Sequence, residues 1–151
     1  MEKDGFRYVA CLDCASLYLN PRPCRQMIES YYINSKAMKF FTTHLLERTA
    51  AARREKIFIP RAGIVAEWAA RMRLGDDSFF VDVGSGNGIF LEEIAKLGKF
   101  ARTAGIEPSP DLARLCRRRG GRVIEKPVEE VQDEIVDASF ATAFEVLEHV
   151  H

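Results

Sequence analysis

A cluster of glycines directly after a short apolar run constrains the fold of this chain more than any other feature. The run Phe79–Val83 predicts a buried β-strand, and Gly84, Gly86 and Gly88 follow it at alternate positions. An amphipathic segment over residues 90–97 then predicts a helix. Glycine lets the backbone approach a ligand that a Cβ atom would hold off, and the open N–H groups of a helix start face that ligand. The segment therefore predicts a strand–turn–helix unit with a ligand at the turn.

The alternation of strand and helix continues toward the carboxyl end. Short apolar runs predict strands at Ala104–Ile106, Arg122–Ile124 and Ala138–Phe144, and an amphipathic helix is predicted over Asp111–Arg119. Strands separated by helices at this spacing favour a parallel sheet with right-handed crossovers. We therefore expect an α/β fold whose sheet contains at least these four strands.

The segment from residue 25 to residue 75 predicts helices that precede the sheet. Its clearest pattern is an apolar stripe at helical spacing, formed by Ile64, Val65, Trp68, Ala69 and Met72. Pro60 stands before the stripe and Gly75 after it, which suits the start and the end of a helix. Since such stripes usually pack into a core, we expect Trp68 to be buried.

Charge and hydropathy exclude several classes of protein. The 151 residues include 22 basic and 22 acidic side chains, so the formal net charge is zero. Proteins that hold nucleic acid by bulk charge usually carry a basic excess, and nucleic acid is therefore not favoured as a partner. No apolar run reaches the roughly 20 residues that cross a bilayer, and the first residues lack the apolar core of an export signal. We expect a cytoplasmic protein with no membrane partner.

Two carboxylates near the glycine turn narrow the class of ligand. Glu107 ends the second predicted strand, where a carboxylate reaches the two ribose hydroxyls of an adenosine-containing cofactor. Asp82 suits a ligand with an ammonium group and is unfavourable beside a pyrophosphate. The third glycine of the dinucleotide fingerprint would also fall at Ile89. The pattern favours S-adenosylmethionine, and a nucleotide-dependent oxidoreductase is the alternative from another enzyme class.

Three motifs in order resemble those of the class I (Rossmann-like) S-adenosylmethionine-dependent methyltransferases. VDVGSGNGIFLEEI is similar to motif I of that family, and GIEPSP to the acidic loop after its second strand. FATAFEVLEHV resembles the fourth-strand motif of a subgroup that includes ubiquinone-type, sugar and small-metabolite methyltransferases. The resemblance implies a Rossmann-like sheet and methyl transfer from S-adenosylmethionine to a small-molecule acceptor, either a metabolite or a sugar intermediate.

The resemblance also implies roles for individual residues. Asp82 would hold the ammonium group of the methionine portion, and Glu107 would hold the ribose. Pro108 would shape the turn beside the adenine, which the backbone of Val128 would contact. Phe144 and Glu145 would close the pocket at the end of the fourth strand. The turn that wraps the methionine portion would consist of Gly84, Ser85, Gly86, Asn87 and Gly88.

The sequence Glu145-Val146-Leu147-Glu148-His149 supports more than one interpretation. Glu145, Glu148 and His149 share one face of a nascent helix. They resemble the set that binds a divalent metal in some metal-assisted methyltransferases, and carboxylates with an imidazole suit such a cation. We favour the plainer interpretation, in which Glu145 touches cofactor or substrate and the other two make polar contacts. As a candidate catalytic residue, His149 would be a general base on an acceptor hydroxyl.

The amino-terminal 24 residues contain a C-x-x-C pair, Cys11 and Cys14, which has the spacing of half a zinc site. The surrounding sequence resembles the end of a small zinc ribbon whose other cysteine pair lies upstream, so we expect a remnant whose pair is reduced and metal-free. Cys24 is a possible third ligand.

The chain divides into this remnant (1–24), a helical cap (25–75) and the cofactor-binding half of the methyltransferase domain (76–151). With four of the family's seven strands predicted, we expect truncation. A non-catalytic remnant that binds adenosyl ligands is a further alternative.

Overall fold

The computed structural model describes residues 1–3, 5–135 and 137–149. It begins with a small antiparallel sheet of three strands, β1 (Glu2–Lys3), β2 (Phe6–Ala10) and β3 (Leu17–Leu19), in the order β1-β2-β3. The β2–β3 register pairs Tyr8 with Leu19. These strands were not predicted, because they are short and mostly exposed and so lack a regular apolar alternation.

Helices fill the next segment, as predicted. Helix α1 (Arg25–Asn34) is followed by α2 (Lys36–Phe40), α3 (Leu46–Arg53) and α4 (Ile59–Arg71). Two π-helical turns, Phe41–Leu45 and Arg54–Phe58, join α2 to α3 and α3 to α4. None of the helices in the described part of the chain is both long and apolar enough to cross a membrane.

The prediction that Trp68 is buried is wrong. Helix α4 buries Ala62, Val65 and Ala69, whereas Trp68 is 51% exposed. The two small alanines on the buried face let α4 approach its neighbours closely, and the larger side chains are turned toward solvent. Ile64 and Met72 of the predicted stripe lie on this exposed side too. The Arg71 guanidinium covers the Trp68 ring at 5.3 Å from its centroid.

The main sheet is parallel and has the order β6-β5-β4-β7. Its elements are β4 (Phe79–Val83), α5 (Ile89–Lys96), β5 (Arg102–Ile106), α6 (Pro110–Arg118), β6 (Val123–Ile124) and β7 (Phe140–Ala143). The chain moves outward from β4 through β5 to β6 and then returns to the other side of β4. In open α/β sheets of this kind, ligands bind beyond the carboxyl ends of the strands, at such a reversal. The predicted α/β architecture is confirmed.

The two faces of the sheet carry separate hydrophobic clusters because successive side chains of a strand point to opposite faces. Phe80, which is fully buried, packs with α4 and α5 on one face. Phe79 and Val81 lie on the other face, together with Ala104, Ile106 and Val131. The packing holds the carboxyl ends of β4 and β5 beside each other, where the glycine turn begins.

Candidate functional site

The glycine turn leaves β4 in a conformation that other residues rarely adopt. Gly84, Gly86 and Gly88 all have positive φ, at 73°, 55° and 79°. The backbone N–H groups of Gly84 and Ser85 donate to the Ile106 carbonyl at 2.8 and 3.0 Å, which ties the turn to β5. A Cβ atom at Gly84 would lie 2.4 Å from Val146 Cγ2, so glycine is required there for close approach as well as for φ.

Glu107 connects the turn to the end of β5. Its Oε2 accepts a hydrogen bond from the Gly86 N–H at 2.9 Å, and Oε1 accepts one from the Ser109 N–H at 2.8 Å. Burial raises the pKa of this carboxyl, and the two backbone donors oppose that rise. Each carboxylate oxygen has a further lone pair, so Glu107 can still accept hydrogen bonds from a pair of ligand hydroxyls.

Asp82 lies deeper, at the end of β4. It is 4% exposed, and its Oδ1 accepts a hydrogen bond from Thr142 Oγ1 at 2.8 Å. Burial raises the pKa of Asp82 to about 7; the Thr142 hydroxyl opposes this rise, while the Glu107 carboxylate adds to it. Because burial disfavours the ionised carboxylate, a cation placed next to Asp82 would stabilise it. The predicted contact with a ligand's ammonium group would supply such a cation.

A cavity of about 590 Å³ opens beside the glycine turn. Its volume is within the range typical of small-molecule and cofactor sites. A Cβ atom at Gly86, which lines the cavity, would meet nothing within 4 Å, so this side of the turn is open. The predicted site residues that line the cavity are Gly84, Gly86, Glu107, Pro108, Val128, Glu145 and His149.

The other predicted turn residues, Ser85, Asn87 and Gly88, do not line the cavity, and neither does Asp82. The Ser85 side chain packs against Gly105, where an added Cβ atom would lie 2.3 Å from Ser85 Oγ. The Asn87 carbonyl accepts a hydrogen bond from Arg119 Nε at 3.1 Å. Gly88 packs on Cys116, whose pKa is raised by burial. Through these contacts the three residues hold the turn in place beside the cavity.

Phe144 lies in the hydrophobic cluster of α4 and α5 and does not line the cavity, contrary to the expectation that it closes the pocket. Its ring meets that of Phe90 edge-on, with centroids 5.4 Å apart. The next residue, Glu145, has a φ of 57° and turns the chain outward, which places its own side chain at the cavity.

The Glu145–Glu148–His149 set does not converge as a metal site. His149 Nε2 lies 3.9 Å from Glu148 Oε1, and the Glu145 side chain is 78% exposed. The described residues contain no group of three or more His, Cys, Asp or Glu side chains placed to hold a metal ion. His149 does reach the cavity, as a candidate general base must.

Cys11 and Cys14 lie in the connection between β2 and β3. The Ala15 N–H donates to the Cys11 carbonyl at 3.0 Å, and the Cys14 thiol donates to Ser16 Oγ at 3.2 Å. Once the thiol is ionised, the Ser16 hydroxyl and the Ser16 backbone N–H can donate to the thiolate, and this lowers the pKa of Cys14. Cys24 is exposed at the start of α1, and within the described ranges no third ligand is placed to complete a metal site with the pair.

Sequence reasoning missed cavity residues that come from outside the motifs. Arg25 and Ile28 of α1 line the cavity, and Arg25 forms an ion pair with Glu130 in the turn after β6. Arg61 of α4 reaches Glu145. Neither arginine stands in a pattern of residue types that marks a site, so only the folded arrangement identifies them.

Known proteins share this architecture. The family model described as a methyltransferase domain matches residues 41–151. The plantazolicin methyltransferase BpumL in complex with SAH is similar in structure, with a TM-score of 0.58 and 14% identity over 77% of this chain and 44% of that chain. Its complex with a monoazolic desmethylPZN analog and SAH has a TM-score of 0.51 and 16% identity, and covers 68% of this chain and 39% of that one.

A curated relative adds sequence identity over a shorter stretch. EEF1A lysine methyltransferase 2 from Homo sapiens is 39% identical over 59 residues, which is 39% of this chain and 23% of that protein. The chain thus spans less than half the length of the proteins it resembles. The family match covers most of the chain and includes the glycine turn, Glu107 and the whole parallel sheet. The chain therefore belongs to the methyltransferase domain family.

Proposed function

We propose that this chain binds S-adenosylmethionine in the cavity beside the glycine turn and takes part in methyl transfer to a small-molecule acceptor. The observation that carries the proposal is the position of Glu107. Its carboxylate bonds to the Gly86 N–H at 2.9 Å and lines the same cavity as Gly84 and Gly86. A carboxylate in this position beside an open glycine turn is typical of sites that hold the ribose hydroxyls of an adenosine-containing ligand.

The residues present fit this cofactor along the length of the cavity. Pro108 and Val128 supply an apolar wall for an adenine, and Glu107 supplies acceptors for the ribose hydroxyls. The glycine turn would receive the methionine portion, and Asp82, buried in β4 next to the turn, would favour its ammonium group through its charge. When bound, S-adenosylmethionine supplies an electrophilic methyl group on a sulfonium. The residues of this chain act mainly by binding and orientation, which are the largest contributions to a direct displacement.

The acceptor is proposed from the sequence resemblance to enzymes of small metabolites and sugars. His149 lies at the cavity and would take the proton of an acceptor hydroxyl as the methyl group is transferred. A lysine side chain is a second candidate acceptor, because the curated relative is named as a lysine methyltransferase. Offering small hydroxylated acceptors and lysine peptides to the chain, with radiolabelled cofactor, distinguishes the two.

Calorimetric titration with S-adenosylhomocysteine (SAH), with NAD as the comparison, tests the cofactor proposal. We expect saturable binding of SAH and no binding of NAD. Glu107→Gln removes one charged acceptor and is expected to weaken SAH binding roughly tenfold or more. Glu67→Gln, at an exposed carboxylate on α4, is the matched control and should bind as the unmodified chain does. A folded chain that prefers NAD, or that binds neither ligand, would overturn the proposal.

A further inference from the structure

The connection between β2 and β3 holds its two cysteines in a defined turn. The Cys11 N–H donates to the Ser16 carbonyl at 2.9 Å, and the Ala15 N–H donates to the Cys11 carbonyl at 3.0 Å. Ala15 has a φ of 58°, a left-handed conformation that turns the chain directly after Cys14. The Cys11 and Cys14 side chains are close enough to interact with each other. The fold therefore presents the two thiols as a pair on a short loop.

This cysteine pair lies on an exposed part of the molecule. Every residue from 12 to 18 is exposed, and Cys11 is half-buried. Leu12, which stands between the two cysteines, is fully exposed. Another protein surface can therefore reach both thiols, and it would cover Leu12 in the same contact. None of the residues from 11 to 16 lines the cavity beside the glycine turn, so the pair is separate from the proposed cofactor site.

A single chain supplies too few ligands for a closed metal site. Two thiolates at C-x-x-C spacing suit Zn²⁺, which takes four ligands in a tetrahedral arrangement when the site is structural. In the part of the chain that the structure describes, no group of three or more His, Cys, Asp or Glu side chains is placed to hold a metal ion. A zinc ion held by Cys11 and Cys14 would therefore keep two open positions, which a second pair of thiolates would fill.

A second copy of this chain is the simplest source of that second pair. Twofold symmetry presents the same surface of each copy to the other, so two identical C-x-x-C turns would meet at one metal ion. The formal net charge of the chain is zero, so two copies do not repel each other through bulk charge. The exposed Leu12 side chains would be removed from water where the two turns meet.

We propose that Cys11 and Cys14 bind Zn²⁺ together with the same two cysteines of a second copy, so that one metal ion joins two chains through four thiolates. The four thiols release their protons to solvent and their sulfurs replace water on the metal, with no change of oxidation state. The Ser16 hydroxyl, whose oxygen lies 3.2 Å from Cys14 Sγ, would donate to the bound thiolate and orient it. The site is independent of methyl transfer, so its test needs no cofactor.

The test adds zinc chloride to the metal-free, fully reduced chain and measures its mass and its zinc content. Sedimentation velocity gives the mass in solution, and elemental analysis after gel filtration gives the zinc bound per chain. Co²⁺ in place of zinc reports the number of thiolate ligands through its absorption spectrum. The variants are Cys11→Ser, Cys14→Ser and Cys24→Ser, of which the last is the matched control at an exposed cysteine outside the connection. Circular dichroism shows whether each variant is folded.

We expect a zinc-dependent dimer with one zinc ion per two chains, which a chelator returns to monomers. Cys11→Ser and Cys14→Ser should each raise the zinc concentration needed for dimerisation roughly tenfold or more, because each removes two of the four sulfurs from the shared site. Cys24→Ser should behave as the unmodified chain does. If one of the first two variants does not fold, the other carries the test, and the chelator tests the unmodified chain without either.

Four outcomes would overturn the inference. They are a monomer that holds its own zinc ion, a dimer that persists in the chelator, a reduced chain that binds no zinc, and a loss of the dimer in Cys24→Ser. None of them bears on the proposed function, which the titration with SAH tests separately.

Discussion

Asp82 shows how one buried carboxyl can couple stability to ligand binding. Its pKa is raised to about 7 in the folded chain, mainly by burial, from an ordinary value of 3.8. The unfolded chain therefore releases this proton at lower pH than the folded chain does. Stability from this residue is complete below about pH 4, falls as pH rises toward 7, and is constant above that.

Asp82→Asn should remove that pH dependence. The asparagine can still accept the Thr142 hydrogen bond but carries no charge, so the variant is expected to be more stable than the parent above pH 7, by about 2–4 kcal/mol. Below pH 4 the two should converge. Urea unfolding at pH 4, 6 and 8 measures this. Glu67→Gln should follow the parent, and an Asp82→Asn variant with the parent's slope would show that burial does not perturb Asp82.

At Gly84, both the backbone conformation and the close packing disfavour any residue that has a Cβ atom. Alanine there would have a φ of 73° and a Cβ atom 2.4 Å from Val146 Cγ2. We expect Gly84→Ala to lower the free energy of unfolding by about 2–4 kcal/mol and to weaken SAH binding, since the segment after β7 must shift.

Gly98→Ala isolates the effect of the backbone conformation. Its φ is 61°, and an added Cβ atom would meet nothing within 4 Å. It should therefore cost only the conformational part, about 1–2 kcal/mol, and leave SAH affinity unchanged. Urea unfolding and calorimetry compare the two variants. Equal effects on binding would mean that the contact between Gly84 and Val146 has no role in the site.

At the scale of elements, Arg54 joins the helical segment to the sheet domain. It lies in the π-helical turn before α4 and forms ion pairs with Glu92 and Glu93 of α5, at 2.6 Å to Glu92. Hydrogen bonding to Arg54 lowers the pKa of Glu92 to about 2 from 4.5. The stabilisation that the ionised Glu92 gains from Arg54 is present above about pH 4.5 and is lost as pH falls toward 2.

Arg54→Met is expected to destabilise the chain by about 1 kcal/mol at pH 7, where partial exposure and salt limit the value of each pair. At about pH 2 the variant and the parent should differ less, because Glu92 is then about half protonated in the folded chain and protonated in the unfolded chain. Urea unfolding at the two pH values provides the measurement. Arg48→Met, at an exposed position of α3, is the control. A loss that is equal at both pH values would point to packing instead of charge.

We expect the thiol in the turn between β2 and β3 to be more reactive than the buried thiol of α6. Cys14 is exposed and its pKa is lowered by the Ser16 hydrogen bond, whereas Cys116 is buried with a raised pKa. Since the thiolate is the reactive form, a maleimide at pH 7 should modify Cys14 rapidly and Cys116 only after unfolding. Peptide mass mapping over time measures both rates. Ser16→Ala should slow the labelling of Cys14, and an unchanged rate would contradict the assigned cause.

The sequence predicted the elements with strong periodicity and missed those without it. The parallel sheet was predicted from the strand–helix alternation, and the methyltransferase family from the resemblance of three ordered motifs; both are confirmed. The burial of Trp68 was predicted wrongly, because a stripe shows which residues share a helix face but not which neighbour is close enough to cover it. Glu107 was identified because it belongs to a motif. Arg61 was not, because its place depends on how α4 packs against the sheet.

At the scale of the whole molecule, α1 connects the amino-terminal segment to the far end of the sheet. Arg25 and Ile28 of this helix line the cavity, and the pair between Arg25 and Glu130 joins α1 to the turn after β6. A ligand in the cavity would contact α1, so we expect its release to be easier when this ion pair opens. The side chains of both partners are about half exposed, at 45% and 51%, so we expect the pair to contribute no more than about 1 kcal/mol.

A weak pair at the rim should affect ligand release more than folding. We expect Arg25→Gln to speed SAH dissociation by roughly twofold to fivefold, which corresponds to that energy, and to leave thermal unfolding nearly unchanged. Glu130→Gln should have a similar effect, and the double variant should add little, since either change already breaks the pair. Stopped-flow displacement of SAH at low and high salt measures the rates, with Lys36→Gln as an exposed control. High salt should bring the parent toward the variants, because the pair is screened. Additive effects in the double variant would show that the two residues act separately, and that their ion pair does not hold α1 over the cavity.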